Sequence, residues 1–481
     1  MSAFERWPAR PDQNPVVTGV INGATFGNRD VGAAALSLCL FVNPALAHAQ
    51  EDDPVRISGE WRARYETLSG QFRAAGSGSD QMLAFRTLVL AEADTGRITW
   101  GAELQDARGY LDDNGTPLST SIVNPVDLLQ LYGKTRFHGG FGGEGTTDVQ
   151  IGRMTLDLGS GRQVERVEFA NVIVNYTGAY VRSASARGDE LHVFYVVPVG
   201  QRPTDFESLR DNNLSGDEEE TSRRYWAIHY VRPDLLGEAV QRVSGEAFVY
   251  GLLEQDSPSV PTPNRDYLAS GFRISREPVV GKWDLDVEGA YRSGTRRATA
   301  NPNDVRDLRV RAWTLHASVG RTFDHPWRPR IAVDFDFASG DRRADDGLFD
   351  QYERLFGGRR TDLGHTGIHG PLTPANLAAP GGRIEIKPTS RWDARLSYKA
   401  AYLASATDTW VVARVRDTSG QSGRFIGHVI DARTRYWLLP DEVRVEVGVS
   451  GLVGGDLGNR APNGSRQGDT VYAYAQVTRA F

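Results

Sequence analysis

The chain ends in Tyr472-Ala473-Tyr474-Ala475-Gln476-Val477-Thr478-Arg479-Ala480-Phe481, an alternating stretch that stops on an aromatic residue. One face of such a strand meets lipid when the strand closes a transmembrane β-barrel. The terminal Phe481 also resembles the signal that the barrel-assembly machinery of the bacterial outer membrane reads. The alternative is an ordinary edge strand that ends by chance on Phe. The rest of the chain has to separate the two interpretations.

Stretches of period-two alternation recur along the chain, and 57–65, 283–289, 331–337 and 443–449 are clear examples. Period two places successive side chains on opposite faces of a strand, although a half-buried soluble sheet shows the same pattern. The pattern predicts eighteen strands: 55–66, 82–94, 97–107, 127–137, 147–157, 178–187, 189–198, 223–232, 242–252, 267–276, 281–292, 307–321, 329–338, 379–387, 390–403, 424–437, 441–450 and 470–481.

The connections between these strands alternate in length. Turns as short as Thr95-Gly96 and Gly188 alternate with long loops such as 158–177 and 339–378. Short turns at one rim and long loops at the other are typical of outer-membrane barrels, whose short turns are periplasmic. We therefore predict an all-β fold, a transmembrane antiparallel up-and-down barrel of about 18 strands over residues 50–481, in the outer membrane of a Gram-negative cell. The longest loop is expected to fold into the barrel mouth.

Residues 1–49 are predicted to be an N-terminal extension and signal peptide. The apolar run 31–42 is too short for a membrane helix, and Ala47-His48-Ala49 resembles a cleavage site. The thirty residues before the apolar run are unusual for a signal and suggest a misassigned start codon. Cys39 lies in this segment and is the only cysteine, so the mature chain has no disulfide and no thiolate metal site. We expect no metal and no cofactor.

The charges indicate a polar lumen. The net charge of −6 disfavours nucleic acid as a partner. Charged residues on the lipid face cost about 2–4 kcal/mol for Arg or Lys at mid-depth, so alternation turns the strand charges inward. Six basic residues of the first six strands are predicted to line the lumen: Arg62, Arg64, Arg86, Lys134, Arg136 and Arg182. An excess of basic over acidic residues along the lumen would favour the passage of an anion. The alternative is a structural lattice of ion pairs, because acids face inward as well.

The densest cluster of charge is 152–166, which contains Arg153, Asp157, Arg162 and Arg166. A strand runs here into a glycine-rich bend. Simple alternation would turn Arg153 outward, so we infer a bulge near Gly152. We predict that the three arginines form a positive constriction held by the loop 158–177, with Asp157 binding one guanidinium. The alternative is a structural brace.

Three motifs resemble those of the alginate-export outer-membrane porins. They are Gly152-Arg153-x-x-Leu156-x-x-Gly159-x-Gly161-Arg162, Phe349-Asp350-x-x-x-x-Leu355-Phe356 with His365, and Gly427-His428-x-Ile430-Asp431. The resemblance spans residues 55–481. It implies a monomeric eighteen-stranded barrel that is narrowed by inward loops, lined by basic residues and used to export a polyuronate, with Arg153, Asp157 and Arg162 at the constriction. The chain departs from the family at Val429, where an acid is common.

Three functions remain open after the sequence. The first is an outer-membrane channel for an anionic saccharide, a polyuronate such as alginate, or a related acidic solute. The second is a porin for other small solutes with no polysaccharide role. The third is a barrel-embedded hydrolase, which we disfavour because no strand histidine lies in a recognisable nucleophile arrangement. Expected partners are outer-membrane lipid, the assembly machinery, the acidic solute and, as an open alternative, periplasmic export proteins.

Overall fold

A computed structural model describes residues 54–74, 76–113, 115–141, 143–237, 243–256 and 260–481. The predicted extension and signal peptide at 1–49, with Cys39, lie outside the described residues. Eighteen long strands form the described sheet: β1 (Val55–Ser69), β2 (Ser79–Asp94), β3 (Thr99–Tyr110), β4 (Asn124–His138), β5 (Gly145–Met154), β6 (Tyr176–Ser185), β7 (Glu190–Gly200), β8 (Arg223–Arg232), β9 (Ser244–Glu254), β10 (Asp266–Arg276), β11 (Trp283–Arg296), β12 (Leu308–Thr322), β13 (Arg330–Ala338), β14 (Leu377–Thr389), β15 (Trp392–Tyr402), β16 (Phe425–Leu439), β17 (Val443–Gly454) and β18 (Thr470–Ala480).

Each of these strands pairs antiparallel with its neighbours along the chain. The last strand, β18, pairs with β1 from Glu60 opposite Ala480 to Ser69 opposite Val471, which closes the sheet. A closed sheet leaves no unpaired edge, the condition that hydrocarbon imposes on strands. The prediction of an eighteen-stranded up-and-down barrel is therefore confirmed.

The two faces of the barrel wall differ as the alternation predicted. Trp100, Leu131, Ile151 and Val333 are exposed apolar side chains on the outer face. On the inner face, charged side chains such as Arg64 are buried. The outer face is therefore the one that suits lipid contact.

Phe481 lies at the seam between the first and last strands. Its backbone N–H donates to Gly59 O at 3.1 Å, and its carbonyl accepts the Gly59 N–H at 2.9 Å. The phenyl ring covers Gly59, where an added Cβ would lie 2.5 Å from Cζ of Phe481. The terminal residue thus extends the closing ladder by one pair.

Two of the long loops enter the lumen. The first inward loop (155–175) follows β5, and the second inward loop (339–376) follows β13. Their apolar residues, among them Leu158, Val164, Tyr352 and Leu372, are buried in one cluster with inward side chains of the wall such as Phe194. The loops therefore fill much of the lumen, as expected for the longest loop.

The remaining elements are short. Helices α1 (Phe206–Arg210), α2 (Arg360–Leu363) and α3 (Asp456–Arg460) lie in loops, as do the two-residue strands Glu218–Glu219 and Leu348–Phe349. Within the part of the chain that the structure describes, no helix has the length and apolar character required to cross a membrane.

Candidate functional site: the loop-filled lumen

Three arginines of β1 and β2 hold the first inward loop by its backbone. Arg62 donates to Glu168 O at 2.7 Å and to Ala170 O at 2.8 Å. Arg64 donates to Phe169 O at 2.5 Å, and Arg86 donates to both Glu168 O and Ala170 O at 2.9 and 2.8 Å. All three side chains are buried. The structure places these predicted pore residues on the inner face, where their hydrogen bonds anchor a loop.

Two asparagines complete this anchor, and the sequence analysis missed them. The Asn171 amide donates to Ile122 O at 2.8 Å and to Phe85 O at 3.1 Å. The Asn175 amide donates to Leu129 O at 2.9 Å. Both side chains are buried, and buried amides that satisfy backbone carbonyls hold a segment in one position. The first inward loop is therefore bound to β2 and β4 as well as to β1.

Arg162 lies where the two inward loops meet the wall. Its guanidinium contacts Asp286 at 3.1 Å and Glu288 at 2.9 Å, both on β11, and Asp362 of the second inward loop at 2.8 Å. The backbones of the two loops also bond, from Gly358 N–H to Gly161 O at 2.9 Å. Burial raises the pKa of the Asp362 carboxyl, but Arg162 outweighs this and holds that pKa well below its ordinary value. Arg162 thus links two loops and the wall.

The ion pairs of Arg162 continue along the wall in both directions. Arg273 binds Asp286 and Glu246, each at 2.8 Å. On the other side, His316 contacts Asp336 at 2.7 Å, and Lys399 binds Asp336 at 2.6 Å. The lumen therefore contains the lattice of ion pairs that the sequence analysis gave as an alternative.

One group in this lattice has the composition of a metal site. Ligand atoms of His316, Asp336 and Asp362 lie within 4.8 Å of one another. However, Lys399 contacts Asp336 and Arg162 contacts Asp362 directly. These two cations already occupy the carboxylates and would repel a metal ion. The group fits an ion-pair network better than a metal centre.

Arg166 binds a separate set of acids. Its guanidinium contacts Glu103 of β3 at 2.7 Å and Glu168 at 2.9 Å. The Glu168 side chain is half exposed, so this pair borders water in the lumen. The Asp157 side chain is exposed, and the predicted bond from Asp157 to one of the three guanidiniums stays a prediction.

Arg153 does not join the other two arginines, which corrects the predicted three-arginine constriction. The pairing of β5 with β4 and β6 keeps one register through Gly152, so the inferred bulge is wrong. Alternation then turns Arg153 to the outer face, opposite the exposed Leu131. There it contacts Glu219 at 2.7 Å and Leu128 O at 3.1 Å.

A different group of arginines lies among the long loops, and we call Arg73, Arg354, Arg359 and Arg414 the mouth arginines. Arg73 follows β1, Arg354 and Arg359 lie in the second inward loop, and Arg414 lies between β15 and β16. The hydrogen bonds of the first three include backbone acceptors: His369 O for Arg73 at 2.6 Å, Gly357 O for Arg354 at 2.7 Å and Gly370 O for Arg359 at 2.9 Å. None of the ion pairs formed by the described residues includes any of the four.

The mouth arginines affect one another electrostatically. Burial, then the charges of Arg354 and Arg73, lower the pKa of Arg359 to about 9. Burial lowers the pKa of Arg73 to about 10, and the charge of Arg414 contributes. Guanidiniums stay protonated at neutral pH. Glu165 near Arg354 and Asp80 near Arg73 offset part of this charge, but neither forms a direct ion pair with these arginines among the described residues. The mouth therefore carries positive charge that a bound anion would stabilise.

The sequence profile of the Alginate export family matches residues 53–471. The chain belongs to the alginate-export family. None of the curated proteins matches the chain in sequence. Three solved structures from Pseudomonas aeruginosa share the fold.

The outer membrane protein OpdK has 12% sequence identity and a TM-score of 0.56, with 89% of this chain and 98% of that chain covered. OccK2 (OpdF) in complex with glucuronate has 11% identity and a TM-score of 0.53, with 89% and 96% covered. OpdK with vanillate has 11% identity and a TM-score of 0.53, with 88% and 98% covered. The family and the porin fold support an outer-membrane channel, a transport protein rather than an enzyme.

The three family motifs of the chain meet in the lumen. Arg162 of the first motif binds Asp362, which lies between the named residues of the loop motif. The backbone N–H of His365 donates to Asp431 at 3.2 Å, which joins the loop motif to the third motif. An added Cβ at Gly364 would lie 2.2 Å from Oδ2 of Asp431, so this contact requires glycine. His428, in contrast, hydrogen-bonds Tyr398 at 2.8 Å in an exposed position.

The remaining predicted basic residues lie toward the short-turn rim. Arg136 contacts Asp148 at 2.6 Å, and Arg182 contacts Glu190 at 2.5 Å and Asp148 at 3.7 Å. Lys134 lies on the same face of β4 as Arg136 and is half-buried. The side chains of Arg136 and Arg182 are 60% and 36% exposed, so this end of the lumen is wet.

Proposed function

We propose that the protein is a passive outer-membrane channel for an anionic saccharide, a polyuronate such as alginate, or a related acidic solute. The observation that carries this proposal is the group of mouth arginines, which form no direct ion pair with the described residues. A guanidinium presents a planar pair of N–H donors that matches a carboxylate in bidentate geometry. The carboxylates of a solute at the mouth would therefore find guanidiniums that no carboxylate binds directly.

The predicted lumen arginines support this function in a different way. Arg62, Arg64 and Arg86 position the first inward loop, and Arg162 joins both loops to the wall. Their charges are largely used by internal acceptors, so they shape the passage. Selection of an anion then rests on arginines whose charge is not used internally.

The second candidate is a porin for small carboxylates without a polysaccharide role. One observation favours it: two inward loops fill much of the lumen, and a wide polymer needs a continuous path. Two solved structures of the shared fold contain glucuronate and vanillate, which are small carboxylates. The two candidates share the charge chemistry and differ in the size of the solute.

Ion selectivity in planar bilayers tests the shared chemistry. The reversal potential in a salt gradient should show anion preference for the native protein. Arg354→Gln with Arg414→Gln should reduce that preference, because both side chains are exposed and neither has an ion pair to break. Arg153→Gln, which removes one outward arginine, is the matched control and should behave as the native channel. An unchanged reversal potential in the double variant would refute the assignment.

Solute flux into proteoliposomes then separates the two candidates. We would compare glucuronate, uronate oligomers of increasing length and neutral glucose. Entry of long oligomers supports the polyuronate channel, whereas entry of the monomer alone supports the small-carboxylate porin. Faster entry of glucose than of glucuronate would contradict both.

The proposal also includes the partners. The channel acts as a monomer in outer-membrane lipid, and the assembly machinery reads Phe481 at the closing strand. For a polyuronate, the short-turn rim would receive the chain from periplasmic export proteins. Cross-linking in cells from the periplasmic turns tests this contact.

A further inference from the structure

A small cavity lies between the first inward loop, the second inward loop and the wall. Its lining includes Arg162 and Gln163 of the first loop, Tyr352 of the second, and Tyr225, Tyr267 and Arg292 of the wall. The cavity has room for about one particle of the size of a water molecule. No carboxylate is in its lining.

Two buried donors in this lining have no hydrogen-bond partner: Nε2 of Gln163 and Nε of Arg292. The hydroxyl of Tyr352 lies 3.3 Å from Oε1 of Gln163 and donates to it. The hydroxyl of Tyr225 donates to the Gln163 carbonyl at 3.2 Å. An unpartnered buried donor costs about 1–3 kcal/mol, so two in one cavity indicate a missing acceptor.

The charge of Arg292 also indicates that an acceptor is missing from the cavity. Its guanidinium lies 4.3 Å from the ring centre of Tyr352 and 5.2 Å from that of Tyr267, and Nη1 donates to Glu353 O at 2.7 Å. No ion pair among the described residues includes Arg292. The Glu353 carboxylate is bound to Arg296 at 2.6 Å instead. Arg162 also lines the cavity, but its guanidinium binds three carboxylates.

We propose that this cavity binds one monatomic anion, chloride, between Arg292 and Gln163. A halide accepts hydrogen bonds and donates none, which matches a lining whose unpartnered atoms are both donors. The bound ion links the first inward loop to β11 beside the second inward loop, so it contributes to the position of both loops. This site is separate from the mouth arginines and does not depend on what the channel transports.

Bromide in place of chloride tests the native protein. Crystals grown in bromide should show an anomalous peak within hydrogen-bond distance of Arg292 and Gln163. The thermal unfolding midpoint should also be higher in chloride than in gluconate at equal ionic strength, because a ligand that binds only the folded state stabilises it. A cavity that holds water and no bromide overturns the proposal.

Gln163→Glu replaces the donor with a carboxylate of the same shape. It should lose the bromide peak and the chloride-dependent shift of the midpoint. Gln150→Glu adds the same charge to an inward, half-buried position on β5 and should keep both. Equal chloride dependence in Gln163→Glu and the native protein would also overturn the proposal, and the crystallographic result stands even if the variant folds poorly.

Discussion

Replacement of Arg162 by Gln should open the lumen without unfolding the barrel. The native guanidinium contacts Asp286, Glu288 and Asp362 at 3.1, 2.9 and 2.8 Å. Gln is shorter and uncharged, so the three carboxylates would face one another without their common counter-charge. Asp362 lies in the second inward loop, and this repulsion acts to push that loop away from β11.

The magnitude follows from the contacts. Unit charges about 4 Å apart interact with about 4 kcal/mol at an effective dielectric of 20, so three pairs give a gross term of about 12 kcal/mol. The desolvation of buried charges offsets much of this, and removal of one partner from a buried pair costs about 3–5 kcal/mol in practice. That energy is enough to displace a loop. The eighteen-stranded ladder does not depend on Arg162, so the wall should persist.

Single-channel recording and gel mobility measure the two parts of this prediction. The variant should show higher conductance and a shift toward cation preference, while the unheated protein keeps the mobility of a folded barrel. Arg153→Gln is the control because Arg153 also contacts two acids, Asp127 and Glu219, neither of which belongs to an inward loop. Native conductance and selectivity in Arg162→Gln would refute the argument that this arginine holds the loops.

Three further predictions concern the barrel seam, an acidic loop and the wall. Gly59→Ala should slow outer-membrane assembly, because a Cβ there would lie 2.5 Å from the Phe481 ring and would also meet Leu88 O. The control is Gly451→Ala, whose Cβ would have no atom within 4 Å and which should assemble normally. Equal yields of the two variants would contradict a tight seam. Burial and then the charge of Asp127 raise the pKa of Asp217 to about 7. Between pH 4 and 7 the folded loop 201–222 therefore holds a proton that the unfolded chain, with an Asp pKa near 3.9, has released. The stability of the loop should fall as the pH rises from 4 to 7. Hydrogen exchange in that loop, corrected for intrinsic rates, should show this loss, and Asp217→Asn should remove it. Heated and unheated samples should differ in detergent-gel mobility, and identical mobility with a helical circular dichroism spectrum would contradict the barrel.

The sequence predicted the wall well because every strand repeats the same constraint. One face meets lipid and the other the lumen, so each crossing shows period two and ends at a turn. Most boundaries agree within three residues, and β5 differs most informatively, since it ends at Met154 whereas 147–157 was predicted. The next residues already belong to the first inward loop, whose Leu156 and Leu158 alternate like a strand but pack inside the barrel.

The lumen was harder to predict because its contacts join distant parts of the chain. Arg62 was correctly placed on the inner face, yet its acceptor Glu168 O is 106 positions away and carries no side-chain signal. The mouth arginines come from three loops that approach one another only after the barrel closes. The position of Arg153 was predicted wrongly, because we inferred a bulge that would keep its charged side chain away from the outer face. The structure instead supplies Glu219 from a loop above the rim, which neutralises that charge without a change of register.

The number of arginines therefore says little about ion selectivity in this barrel, because the position of their counter-charges decides it. Arg162 has three carboxylates and Arg166 has two, so neither provides much uncompensated charge. Arg354 and Arg414 belong to no ion pair of the described residues and are exposed where a solute enters. Removal of a paired arginine releases negative charge and disturbs the loops, whereas removal of an unpaired one only lowers the positive potential at the mouth. The variant of Arg354 and Arg414 should lose anion preference and keep its conductance, whereas Arg162→Gln should change both. This difference would distinguish arginines that select the ion from arginines that hold the loops in place.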